Sequence, residues 1–165
     1  MDKKKKALLI TAGIAAVLLA AALFLSRPQP LGELLHTDEI EPPIQAIFSL
    51  AATVPTENGE TSGVCDYTAE PDSEAGQALL DVLGSISAHC RFRLPTAPVS
   101  GIRPQDNYVS IWFRANGRDH DLYLFADGSV LYDDASRSVA YTLDSDAEDA
   151  FRALVNVISL YGTKR

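Results

Sequence analysis

The sequence predicts a two-layer α+β domain, a mostly antiparallel sheet with two helices, preceded by an N-terminal transmembrane helix. Three observations carry that expectation. Residues Asn107 to Leu143 read as a β-meander punctuated by Asn116-Gly117 and Asp127-Gly128, dipeptides that tolerate positive φ in tight hairpin turns. Two segments, about Ser73 to Ser87 and Ser145 to Tyr161, each carry one apolar stripe at helical spacing. Four lysines, Lys3 to Lys6, precede 19 uncharged residues, Ala7 to Leu25.

At about 1.5 Å per residue that run just spans a hydrocarbon core of roughly 30 Å. The lysines favour retention of the N-terminus in the cytoplasm, which puts everything after Ser26 outside. The expected division is a cytoplasmic basic tail (1–6), a transmembrane anchor (7–25), a linker (26–43) and an extracytoplasmic domain (44–165). A cleaved signal peptide is the alternative, with Ala20-Ala21-Ala22 supplying small residues. The apolar run continues through Leu23-Phe24-Leu25, beyond the roughly 7–15 residues usual in such peptides, which favours the uncleaved anchor.

The chain of 165 residues has a formal charge of −8, and Met1 to Lys6 contributes +3 to it, so the remainder carries −11. An exported domain this acidic, without a basic stripe, repels nucleic acid and anionic polymers. Its roughly 120 residues are enough for one ordinary core.

Ser26 to Pro43 reads as a linker, with Arg27-Pro28-Gln29-Pro30 and Pro42-Pro43 as breakers and a short helical turn over Leu31 to His36. His36 reads as a solvated linker histidine. Ile44 to Val54 alternates as a strand, while Ile44, Ile47, Phe48 and Ala51 also fit a helical stripe. Asn58-Gly59 marks a turn, and Val64 to Tyr67 a short strand. In the first helix Ala75, Ala78, Leu79, Val82, Leu83 and Ile86 form the stripe. Pro71, Asp72, Ser73 and Glu74 suit its start. Gly76 and Gly84 lie off the stripe and weaken it by about 1 kcal/mol each relative to Ala. Cys90 to Leu94 reads as a strand, and Pro95 to Asp106 as an irregular loop.

With two-residue turns at Asn116-Gly117 and Asp127-Gly128, Arg114 faces Asp119, Ile111 faces Leu122, Phe125 faces Val130 and Tyr123 faces Tyr132, while the third turn, around Asp134 to Arg137, has no clear register. In the last helix Ser145 and Glu148 fit a capping box, and Gly162 a C-terminal glycine. Ala147, Phe151, Leu154, Val155, Ile158 and Tyr161 make its core stripe, while Glu148, Arg152 and Asn156 line the wet side.

Cys65 and Cys90 are the only cysteines. In an oxidising compartment they permit one disulfide joining the strands on either side of the first helix, worth about 3–4 kcal/mol in the chain-entropy model. Two buried free thiols are the alternative.

No catalytic constellation is legible. G-x-S-x-G and S-x-x-K are absent. His89 and Cys90, as strand neighbours, point to opposite faces, and His120 reads as a packed residue opposite Phe113. The acidic residues near the turns do not fit a calcium loop: Tyr123 and Phe125 stand where acids are needed before Gly128, and Trp112 and Arg114 before Gly117. Asp144, Asp146, Glu148 and Asp149 are carboxylates complementing a helix start. Glycine-rich phosphate loops are absent too, so neither metal nor cofactor is expected.

The remaining signal is aromatic. One face of the meander carries Val109, Ile111, Phe113, Leu122, Leu124 and Leu131, suited to packing helices; the other carries Tyr108, Trp112, Tyr123, Phe125, Val130 and Tyr132. If helices cover only the first, the second is a platform of flat rings suited to sugar rings or a peptide. Trp112, Tyr123, Phe125 and Tyr132 are the candidate contacts. The competing explanation is that aromatics merely enrich strands and this face is covered as well.

The Lys-rich start and anchor, the helix Ala75 to Ile86 leading to Arg91-Phe92-Arg93, and the hairpin Tyr123-Leu124-Phe125-Ala126-Asp127-Gly128 together resemble small membrane-anchored extracytoplasmic domains of Gram-positive bacteria. The resemblance covers most of the exported part and implies no activity. The expected function is a non-catalytic binding or sensing module, N-terminus cytoplasmic, whose partner is a wall glycan, a peptide or the exported part of a membrane protein. The alternatives are a cell-envelope enzyme or enzyme regulator, and a purely structural domain acting through a membrane partner.

Overall fold

From its N-terminus the chain runs through helix α1 (Lys3–Leu25), strand β1 (Gln29–Pro30), the short helix α2 (Leu31–Leu34), a hairpin of β2 (Ile40–Thr56) and β3 (Gly59–Ala69), helix α3 (Glu74–Ser85) and β4 (Ser87–Cys90). There follow β5 (Tyr108–Ala115), β6 (Arg118–Phe125), β7 (Ser129–Asp134), β8 (Arg137–Leu143), helix α4 (Ala147–Tyr161) and β9 (Thr163–Lys164). The computed structural model describes residues 3–25, 27–36, 39–90, 107–134, 137–144 and 147–165, with the backbone alone at 3–9, 25, 90 and 137. The expected strand residues Arg91 to Leu94, the loop Pro95 to Asp106 and the cap Ser145 lie outside the described residues.

The nine strands among the described residues form one sheet, in the order β1-β4-β8-β7-β6-β5-β2-β3-β9, with every neighbouring pair antiparallel. Helices α2, α3 and α4 share one face. Their apolar stripes meet the inward side chains of the strands around Phe48, Tyr67, Leu79, Phe113, Leu122, Leu154 and Ile158, all 2% exposed or less. This is the α+β architecture expected. Helix α3 carries the chain across the buried face from β3 to β4, near the opposite flank of the sheet, and α4 carries it back from β8 to β9 beside β3.

Alternation wins over the helical stripe in the first apolar segment. Strand β2 buries Ile44, Ala46, Phe48 and Leu50 and turns Gln45, Ile47 and Ser49 outward. It begins earlier than its prolines imply. Pro42 and Pro43 fall at the irregularity between Glu41 and Gln45 in the pairing with β5, where a missing N–H breaks no regular ladder bond. The stretch read as a linker therefore belongs partly to the domain: Leu31 and Leu35 are each 1% exposed, and Leu31 N donates to Ile86 O at 2.8 Å.

The Asn116-Gly117 turn has φ of 52° and 68°, as a two-residue hairpin requires, and Arg114 and Ile111 face Asp119 and Leu122 as expected. The second turn differs. Gly128 N donates to Phe125 O at 3.0 Å and Gly128 has φ of 80°, which makes a three-residue loop over Ala126–Gly128. Pairing resumes with Leu124 opposite Val130, Tyr123 opposite Leu131 and Leu122 opposite Tyr132. A one-residue shift turns every β7 side chain to the other face.

Two glycines have reasons beyond helix propensity. A Cβ on Gly76 would lie 2.1 Å from Glu70 O, and one on Gly162 would lie 2.4 Å from Ile158 O and 2.8 Å from Cys65 Sγ. Ser73 caps α3, its hydroxyl accepting from Gly76 N at 3.0 Å. At the far end of α4, Tyr161 leaves the expected core stripe: it is 37% exposed and its hydroxyl donates to Glu74 at 3.1 Å. Asn156 does more than face water, since its side-chain oxygen accepts from Glu57 N in the β2–β3 turn at 3.1 Å.

The expected disulfide is not present. Cys65 is a free, fully buried thiol whose Sγ donates weakly to Ile158 O at 3.6 Å. Strands β3 and β4 have β8, β7, β6, β5 and β2 between them. That is about 29 Å along the sheet at the usual strand spacing, against a Cα separation below about 7 Å for a bridge.

Helix α1 covers the run expected as the anchor, Ala7 to Leu25, but begins four residues before it at Lys3, and its large apolar side chains, among them Ile10, Val17, Leu19 and Phe24, are exposed. Its described side chains run only from Ile10 to Phe24. Among the described residues no helix is long and apolar enough to cross a membrane.

Candidate functional site

The side of the sheet opposite α2, α3 and α4 is built from alternate residues of the central strands. Register places Thr68, Gln45, Trp112, Asp121, Asp133 and Ser138 side by side across β3, β2, β5, β6, β7 and β8. The next line across the same strands reads Asp66, Ile47, Ser110, Tyr123, Leu131 and Ala140, and beyond it lie Ser49, Tyr108 and Phe125.

Three of the four candidate contacts share this face. Trp112, Tyr123 and Phe125 are half-buried on it, and Tyr108 joins them, its ring 6.5 Å from that of Tyr123 and 6.3 Å from that of Phe125. Tyr132 does not: the three-residue turn puts it on the helix side, 4% exposed, with Val130 at 1%. Leu131, expected in the core, takes the outward place. In the core the His120 ring lies between Phe113 (5.1 Å, 8°) and Tyr132 (5.8 Å, 15°).

Trp112 stands at the edge of a groove of about 400 Å³ lined by Gln45, Ile47, Asp66, Thr68, Ser110 and Arg165, with the strand backbone of Ala46 and Tyr67 beneath. The Asp66 carboxylate pairs with the Arg165 guanidinium, and Arg165 N donates to Val64 O at 3.0 Å. Sequence reasoning missed these lining residues. The outward positions of Gln45 and Ser110 are legible from alternation, but nothing local says that β2 lies beside β5.

On the other side of Trp112 the face turns acidic. Asp121 and Asp133 are direct cross-strand neighbours. Burial pushes the Asp121 carboxyl up, and the Asp133 and Asp119 carboxylates add to the rise, against a lowering influence of His120. Burial likewise raises the Tyr123 hydroxyl, helped by Asp121 and opposed by a hydrogen bond with Ser110. Arg114 lies 3.8 Å from both Glu41 and Asp119.

His89 pairs with Asp144 at the β4 flank. Asp127 is a turn cap, its carboxylate accepting from Ser129 N at 2.9 Å. Among the described residues no group of three or more His, Cys, Asp or Glu is placed to hold a metal ion.

The chain matches no family model, no curated protein and no solved structure.

Proposed function

We propose that this chain is a single-pass membrane protein, N-terminus cytoplasmic, whose extracytoplasmic α+β domain is a non-catalytic binding module acting through the sheet face opposite α2, α3 and α4. The observation that carries the reading is the set of four rings, Tyr108, Trp112, Tyr123 and Phe125, half-buried on the one side of the sheet that α2, α3 and α4 leave uncovered. Rigid aromatic rings present contact area at little cost in rotamer entropy, which suits a wall glycan, a peptide or an exported segment of a membrane protein. The anchor reading is supported by Lys3 to Lys6 ahead of an uncharged run, and by a helix whose apolar side chains stay outside the domain core. Lipid is the medium that relieves such exposure.

The test is the full-length protein in lipid nanodiscs, titrated with purified cell-wall fragments and solubilised envelope proteins. Trp112 is the only tryptophan, so its emission reports on this face alone. Emission that shifts on addition, with Trp112→Ala losing binding in co-sedimentation at an unchanged denaturation midpoint, is the expected result. A Trp112→Ala protein that unfolds, or an emission that nothing perturbs, would make this face structural.

A further inference from the structure

We infer that the groove beside Trp112 is a subsite for one ring of a neutral saccharide. The inference rests on the proposed binding role of this face and names the chemistry of its ligand. A pyranose has an apolar face of C–H groups and a rim of hydroxyls, and the groove offers a matching pair of surfaces. The Trp112 ring supplies the flat apolar wall. Gln45 stands directly across from it on β2, with Thr68 directly across from Gln45 on β3 and Ser110 one outward position along β5. Cross-strand neighbours are about 5 Å apart and successive outward positions about 7 Å. The amide and two hydroxyls thus span about 12 Å, room for one sugar ring with a hydrogen bond at either edge, and together they can both donate and accept. The groove's volume of about 400 Å³ falls within the usual range for small-molecule sites.

Charge selects among ligands. The two charged groups in the lining, Asp66 and Arg165, are paired with each other, so the groove presents no net charge while keeping oriented donors and acceptors at its edge. An anionic ligand meets a domain whose residues beyond Lys6 carry −11. A cationic one is drawn to Asp121 and Asp133, on the far side of Trp112 from the groove. A neutral polyhydroxyl ligand is the class that gains from the groove itself.

The experiment is a titration of the full-length protein in nanodiscs with chitotriose and with maltotriose, read by Trp112 emission and by calorimetry. At least one trisaccharide is expected to give a saturable change below about 10 mM. Gln45→Ala and Thr68→Ala, both at exposed positions, are each expected to weaken it about three- to tenfold. Ser138→Ala, at the other flank of the same face, should leave it unchanged. If neither trisaccharide perturbs Trp112, or if the Gln45 and Thr68 variants bind like the parent, the saccharide subsite is overturned. Wall or envelope binding that still depends on Trp112 would then leave the aromatic-face reading standing. Loss of that dependence as well would remove both.

Discussion

The Tyr132 hydroxyl and Nδ1 of His120 are hydrogen-bonded at 2.6 Å on the helix-covered side of the sheet. Tyr132 is thus a core residue, and its substitution separates stability from binding. Tyr132→Phe keeps the ring between its neighbours and removes a buried hydrogen bond. The expected cost is about 1–3 kcal/mol in urea denaturation, with ligand-induced change in Trp112 emission retained. A stable Tyr132→Phe protein that loses binding would return Tyr132 to the site.

The two glycines of α3 should respond with opposite signs. A Cβ at Gly84 meets nothing within 4 Å, so Gly84→Ala should stabilise by up to about 1 kcal/mol through helix propensity. At Gly76 the same methyl would sit 2.1 Å from the Glu70 carbonyl, and Gly76→Ala should destabilise by about 1–3 kcal/mol. Thermal melts of the two variants side by side decide it; a stabilised Gly76→Ala protein would contradict the close approach.

Asp121 makes the acid-range stability depend on pH in a defined direction. Its folded carboxyl titrates above the ordinary Asp value, first through burial and then through Asp133. The folded state therefore holds this proton more tightly than the unfolded chain. Below the ordinary Asp value both states are protonated and Asp121 costs nothing. Its penalty develops as pH rises through the raised folded value and is complete at neutral pH. Asp121→Asn should accordingly stabilise the domain at pH 7 by a few tenths to about 1 kcal/mol, the scale of a like-charge cross-strand pair. The gain should vanish below the ordinary Asp range, as denaturation midpoints across pH would show.

Reduction should not touch the fold. Cys65 is a free buried thiol, pushed up by burial, so a reducing agent is expected to leave the melting temperature unchanged. Thiol titration of the unreduced, denatured protein should count two. A drop of several degrees on reduction would mean a bridge exists.

What the sequence determined by itself is what neighbours along the chain decide. Asn116-Gly117 sets a two-residue hairpin because both φ values are chosen within the turn, and the register of β5 against β6 follows from it. The stripes of α3 and α4 are legible because helical period is a property of a dozen residues. Asp127-Gly128 carries the same dipeptide signal but closes a three-residue loop, and that single residue moves Tyr132 inward and Leu131 outward. Tertiary structure alone decided the rest. Sheet order brings Gln45 beside Trp112 and keeps the strands of Cys65 and Cys90 apart. The space left around Gly76 and Gly162 is set by Glu70, Cys65 and Ile158. These are contacts between packed surfaces, and the hydrophobic effect that drives them depends on area buried, with no term for position along the chain.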